Sequence, residues 1–136
     1  MYDVLISGKK AAIGIIFLQD GAVKKSLRIL IKKPENADVN KADLLGVKYV
    51  LLAIVDKSET IQLHLNPYPL KMLNPKNNPS VNVELIAEVK KLAAGFKNVV
   101  VHRLCDHIKA VDVRLLSTVA EKAPDGTVVL EEKKNG

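Results

Sequence analysis

Apolar and polar residues follow a period of two through the first thirty positions, and the period becomes that of a helix after residue 40. Val4-Leu5-Ile6, Ala11 to Leu18 and Val23 to Ile31 are predicted strands, with breaks at Gly8-Lys9-Lys10 and at Asp20-Gly21. Asp-Gly between apolar runs signals a two-residue hairpin, because both positions of that turn need positive φ. In the third strand Lys24, Ser26, Arg28 and Lys32 fall on one face, with Leu27, Ile29 and Ile31 on the other. A basic face suits either an edge strand that discourages pairing with other chains or a surface that meets phosphates.

The segment from Lys33 to Val39, with Pro34, is an expected loop, and Asn40 is placed as the N-cap of a helix over Lys41 to Asp56. That stretch is apolar on nearly every side, the pattern of a buried helix. Thr60 to Leu65 reads as a short strand. Asn66-Pro67 joins a capping residue to a proline at the first helical position, opening a short helix to Leu73. Prolines and asparagines make Asn74 to Pro79 a loop. Ser80 or Asn82 can cap the next helix, in which Leu85, Ile86, Val89, Leu92, Ala93 and Phe96 repeat at helical spacing; Lys90 and Lys91 point away, and Gly95 weakens the end. Asn98 to His102 is a strand. After Cys105-Asp106-His107 a last helix carries Val111, Leu115, Leu116 and Val119 on one face, closed by Pro124-Asp125-Gly126. Thr127 to Leu130 has strand character, and Glu131 to Gly136 is a charged tail. Antiparallel hairpins followed by alternating strands and helices predict a mixed sheet with helices on both faces, because parallel strands need crossover helices.

A length of 136 residues corresponds to one domain, and 48% hydrophobic with 26% charged residues is the composition of an ordinary globular protein. Lys and Arg number 21 against 15 acids, a net charge of +6 that favours polyanionic partners. Cys105, the single cysteine, has no internal disulfide partner. The first residues lack the basic start and long apolar core of a signal peptide, and the longest apolar run, Leu44 to Val55, is interrupted by Gly46 and Lys48. A cytoplasmic location is expected. With 3 Tyr, 2 Phe and no Trp there is little material for stacking unpaired bases.

Three local segments add to this. Asn40-Lys41-Ala42-Asp43-Leu44 sets an acid three residues after an Asn and before a Leu; Leu63-His64-Leu65-Asn66-Pro67 ends a strand before a short helix; and Leu5-Ile6-Ser7-Gly8 ends the first strand. With the element order, they resemble the ribonuclease H family over about residues 2 to 122. The resemblance implies an α/β three-layer fold in the order β-β-β-α-β-α-β-α around a mixed five-stranded sheet. It assigns residues 1–124 to the domain and 125–136 to a C-terminal extension. It also implies a site. Asp43 stands where the family has Glu, Asn66 where the family has a catalytic Asp, and Ser7 where the first strand carries Asp. Asp112, within Ala110 to Ser117, is the fourth match.

Family members cleave the RNA strand of an RNA–DNA hybrid with two divalent ions, which place positive charge beside the attacking and leaving oxygens. Mg2+ takes hard oxygen ligands, mainly carboxylates, so Ser7 and Asn66 remove two of the anionic ligands. Asp3 is no substitute for Ser7, since four residues of extended strand separate them by roughly 13 Å. The expectation is a non-catalytic domain that binds a duplex or RNA–DNA hybrid with no cofactor. The alternative is an atypical nuclease using Asp43 and Asp112 with Mg2+ or Mn2+. Each residue also has an ordinary explanation: Asp43 and Asp112 as acids in a helix's first turn, Asn66 as an N-cap, Ser7 as a turn residue.

Candidate nucleic-acid contacts are Lys9, Lys10, Lys24, Arg28, Lys32 and Asn40, although the pairs Lys9-Lys10, Lys24-Lys25, Lys32-Lys33 and Lys90-Lys91 equally suit a solvated surface. A third alternative is an interaction module in which Thr127 to Leu130 adds to the sheet edge of a partner, or of a second copy in a homodimer. His102, Cys105, Asp106 and His107 form a compact set of metal-ligand types, but lone-cysteine sets rarely make structural zinc sites. A thiol nucleophile at Cys105 with His102 or His107 is less common than a structural cysteine. No Gly-rich phosphate loop occurs.

Overall fold

Asp20 and Gly21 adopt φ of 51° and 85°, and the two-residue turn they form between Gln19 and Ala22 sets the register of the first sheet strands. The computed structural model describes residues 1–32, 38–122 and 125–130. Residues 33–37 of the expected loop, Lys33 of the basic pair among them, Pro124 and the Glu131–Gly136 tail lie outside the described residues, whereas Asp38 and Val39, expected in that loop, cap and open the first helix.

Strands β1 (Tyr2–Gly8), β2 (Ala12–Gln19) and β3 (Ala22–Ile31) form an antiparallel meander. Helix α1 (Val39–Ala53) crosses to β4 (Thr60–Leu65), parallel to β1. Helices α2 (Pro67–Met72) and α3 (Val83–Ala94) lead to β5 (Asn98–Arg103), parallel to β4. A small hairpin of β6 (His107–Ile108) and β7 (Val111–Asp112) precedes α4 (Leu115–Glu121) and β8 (Thr127–Leu130). The sheet order is β5-β4-β1-β2-β3-β8.

Period-two alternation divides the sheet between two cores. On one face Val4, Ile6, Ile13, Ile15, Leu27 and Ile29 meet Val47, Val50 and Leu51 of α1, with Val89 of α3. On the other, Leu5, Ile16 and Leu18 meet Leu116 and Val119 of α4 and the hairpin's Ile108 and Val111. Helices therefore cover both faces of a mixed α/β sheet, as the element order predicts. At Gly14 an added Cβ would run into the Leu116 carbonyl oxygen, so glycine lets α4 cross β2 directly beside Ser7, its register partner.

The structure corrects several expectations. The sheet has six strands, because β8 pairs in parallel with β3 of its own chain. Backbone bonds join Arg28 N–H to the Gly126 carbonyl at 3.0 Å, and Ser26 N–H donates to Asp125 Oδ2 at 2.7 Å. The segment expected to extend another chain's sheet thus joins the sheet of its own chain, as the edge strand beside β3. Asp38, not Asn40, caps α1, its side chain accepting from Lys41 N–H at 2.8 Å; Asn40 lies in the first turn. That helix ends at Ala53 rather than Asp56, and Leu52 on its outer side is 59% exposed, so it is buried along one side only. The last helix starts at Leu115, since Val111 and Asp112 belong to the hairpin. Lys24 is the extra residue of a bulge, Phe17 pairing with Lys25 and Leu18 with Val23, which breaks the expected basic alternation at its first member. No helix among the described residues is long and apolar enough to cross a membrane.

Candidate functional site

Strands β1 and β4 run side by side with Leu5 opposite His64, so the residues two positions further on, Ser7 and Asn66, come together at the C-terminal ends of both strands. Crevices outside the carboxyl ends of parallel strands are where α/β sheets bind ligands. Helix α1 brings Asp43 to the same place. Its approach depends on Gly8, where an added Cβ would lie 2.9 Å from both the Ala42 Cβ and the Asp43 nitrogen. The bare glycine lets its own N–H reach Asp43 Oδ1 at 2.6 Å.

Asn66 completes the cluster. Its amide nitrogen donates to Ser7 Oγ at 3.0 Å and to both Asp43 carboxylate oxygens at 3.3 Å. It makes no side-chain cap to α2, although it occupies the N-cap position before Pro67. Asp43 is 2% exposed. Burial pushes its pKa up to about 6, against the opposing pull of the Gly8 N–H and the Asn66 amide, which favour the anion. Near neutral pH the cluster therefore holds one buried carboxylate, mostly ionised, whose oxygens face donors.

This donor set does not suit the two divalent ions of ribonuclease H chemistry. A divalent ion needs several oxygen ligands in open geometry. Here one carboxylate is shared between a backbone N–H and an amide, and the Asn66 nitrogen points its hydrogens toward the oxygens a cation would require. Among the described residues, no three His, Cys, Asp or Glu side chains are grouped to hold a metal ion.

Asp112 is not joined to this cluster by any hydrogen bond among the described residues. Its carboxylate receives Arg114 Nη2 at 2.7 Å, Arg114 Nε at 3.1 Å and the Arg114 backbone N–H at 2.9 Å. These bonds hold its pKa down to about 2. The candidate cations separate in the same way. Lys9 and Lys10 follow Gly8 directly and are exposed, Lys9 pairing with exposed Glu121 at 3.2 Å. Arg28 ties α4 and β8 to β3, since its Nε donates to Thr127 Oγ1 at 3.2 Å and its Nη1 to the Glu121 carbonyl. Lys24 lies toward the far end of the sheet, four residues and roughly 13 Å before Arg28. Lys32 is exposed just past β3. Asn40 is exposed and lines an open cavity of about 430 Å³ with Asp38, Val39, Tyr68, Val81 and Asn82, where Asn82 Nδ2 donates to Tyr68 Oη at 3.1 Å.

One polar network escapes the sequence reading. Asp3, 2% exposed, accepts from His64 Nε2 at 2.9 Å. The His64 ring stacks on His102 with centroids 5.0 Å apart, and His102 Nε2 donates to Gln62 Oε1 at 2.7 Å. Burial holds His64 below its ordinary pKa, with Asp3 opposing. The metal-ligand types near Cys105, disfavoured as a site from the sequence, are engaged separately: His102 joins this stack, and Cys105 Sγ donates to the His107 carbonyl at 3.2 Å.

No protein-family model and no curated protein matches the chain. Solved structures are similar. Ribonuclease H1 from the halophilic archaeon Halobacterium salinarum superposes with a TM-score of 0.69 at 16% identity, covering 90% of this chain and 98% of that one. The foamy viral protease–reverse transcriptase in complex with RNA/DNA hybrid gives 0.67 at 12% identity, over 89% of this chain but 19% of the viral one. An N-terminal ribonuclease H domain from Mycobacterium tuberculosis, solved fused to maltose-binding protein, gives 0.60 at 14% identity, over 89% and 95%. The fold of this chain is ribonuclease H-like.

Proposed function

We propose that this ribonuclease H-like domain holds a nucleic-acid duplex or RNA–DNA hybrid through backbone charge and does not cleave it. The observation that carries the reading is the closed cluster of Ser7, Asp43 and Asn66 at the ends of β1, α1 and β4. By the resemblance of their segments these residues stand for the family's cleavage site, yet the cluster contains one carboxylate with its oxygens already hydrogen-bonded. A structural neighbour is solved with an RNA/DNA hybrid, which makes that duplex the substrate to try first. The net charge of +6 supports a polyanion, and Lys9 and Lys10 stand beside the cluster with Asn40 on the facing helix.

Phosphate neutralisation releases counterions, so affinity should fall linearly with the logarithm of salt. Binding of a labelled hybrid measured across a salt series tests this. Lys10→Ala should weaken binding to all sequences alike and flatten the slope by about one. Retention that does not respond to salt, or no retention at low salt, contradicts the reading.

A further inference from the structure

Among the described residues the six-stranded sheet has two edge strands. One is β8, only four residues long, which pairs on its inner side with β3 and is pinned through Asp125, Thr127 and Arg28. At the other end β5 has no strand on its outer side among the described residues. Edge strands are ordinarily protected by prolines, bulges, charges within the strand or brevity. β5 has no proline or bulge and carries a single charge of this kind, Arg103 at its last position. Its register with β4 runs unbroken from Asn98 to Arg103, and Val99-Val100-Val101-His102 contains no Lys, Glu, Asp or Pro.

The strand is also held firmly in place. Val99 and Val101 pack against the main core, while on the opposite face His102 stacks on His64 and bonds to Gln62. A fixed edge loses little conformational freedom when a second strand joins it. Val100, 37% exposed, adds an apolar contact. Exposed cations stand at both ends: Lys97, whose N–H is bonded to the Lys57 carbonyl at 2.8 Å, and Arg103.

The geometry points to the outer edge of β5 as a docking strand for an extended segment of a partner protein, apolar at alternate positions and acidic at both ends. Main-chain bonds along the open edge supply attachment, and Lys97 and Arg103 select the flanking charge. A second copy of the chain fits less well. A two-fold pairing centred on Val100 sets Lys97 of one copy opposite Arg103 of the other at both ends, like charge against like.

Titrating the isotope-labelled full chain with the peptide acetyl-Glu-Thr-Val-Ser-Val-Thr-Glu-amide, followed by amide shifts and hydrogen exchange, tests the assignment. The expected result is shifts and protection confined to Asn98–Arg103. A Lys-flanked peptide, and one N-methylated at alternate residues, should each bind about tenfold more weakly. The double variant Lys97→Glu/Arg103→Glu alters exposed positions only and should reverse the preference between acid-flanked and Lys-flanked peptides. No binding, equal binding of the N-methylated peptide, or changes mapping to β8 would overturn the proposal. A doubling of mass with protection at β5 would overturn it in favour of a second copy.

Discussion

Replacing Asp43 by Asn should stabilise this protein at neutral pH, which is unusual for a buried residue with several hydrogen bonds. Asp43 is nearly inaccessible, and its pKa rises from 3.8 to about 6 because burial disfavours the anion more than the Gly8 N–H and Asn66 amide favour it. A folded-state pKa above the unfolded value means that the folded chain binds the extra proton. The associated stability is fully present below the unfolded pKa and is lost as pH rises through about 6. At 1.36 kcal/mol per pKa unit, ionised Asp43 costs the fold at most about 3 kcal/mol at pH near 8. Asn is isosteric, its carbonyl oxygen can accept the Gly8 N–H, and a flipped Asn66 amide can accept from both Ser7 and the new Asn. Asp43→Asn should therefore gain up to about 3 kcal/mol near pH 8, and most of that gain should vanish near pH 4. Urea denaturation of both proteins at the two pH values measures it, and the difference between them cancels titrations they share, His64 included. Destabilisation near pH 8, or a gain of the same size near pH 4, would refute the reasoning.

Other outcomes follow from single contacts. Gly14→Ala should lower stability by about 3 kcal/mol or more, because its Cβ would collide with the Leu116 carbonyl; an unchanged thermal midpoint would contradict that crossing of α4 over β2. Arg28→Ala should speed amide exchange in β8 relative to β1 and cost about 1–2 kcal/mol, since it removes bonds to Thr127 and Glu121. His64 sits below its ordinary pKa, so its contribution to stability is present above pH 6.5 and is lost as pH falls through its folded value. His64→Gln should flatten the acid side of the stability curve, and an equally steep decline would count against the buried Asp3–His64 pair.

Much of this fold is legible in local sequence where the determining physics is local. Asp20-Gly21 specifies its turn through positive φ, and alternation in β1 and β2 assigns residues such as Val4 and Leu5 to opposite cores. The N-terminus of α1 is less so: Asn40 stands nearest the apolar run, but the chain enters the helix through Asp38. Asp112 reads as an acid in a helix's first turn, yet its carboxylate closes on Arg114, and the helix begins later. Long-range pairing leaves almost no local trace. The strand character of Thr127 to Leu130 says nothing of which edge it will meet, and a parallel partner nearly a hundred residues away decides it. For the same reason Asp3, His64 and His102 read as isolated polar positions until β1, β4 and β5 are set side by side. The convergence of Ser7, Asp43 and Asn66 is not visible in periodicity, and it is anticipated only through the family resemblance of the segments that carry them.

The proposal that the domain holds a duplex without cutting it is tested most directly by incubating a labelled RNA–DNA hybrid with the protein in Mg2+ or Mn2+ and resolving bound, free and cleaved strands together. The account predicts bound but intact hybrid for the parent and for Asp43→Asn alike. Cleavage by the parent that Asp43→Asn abolishes would contradict it.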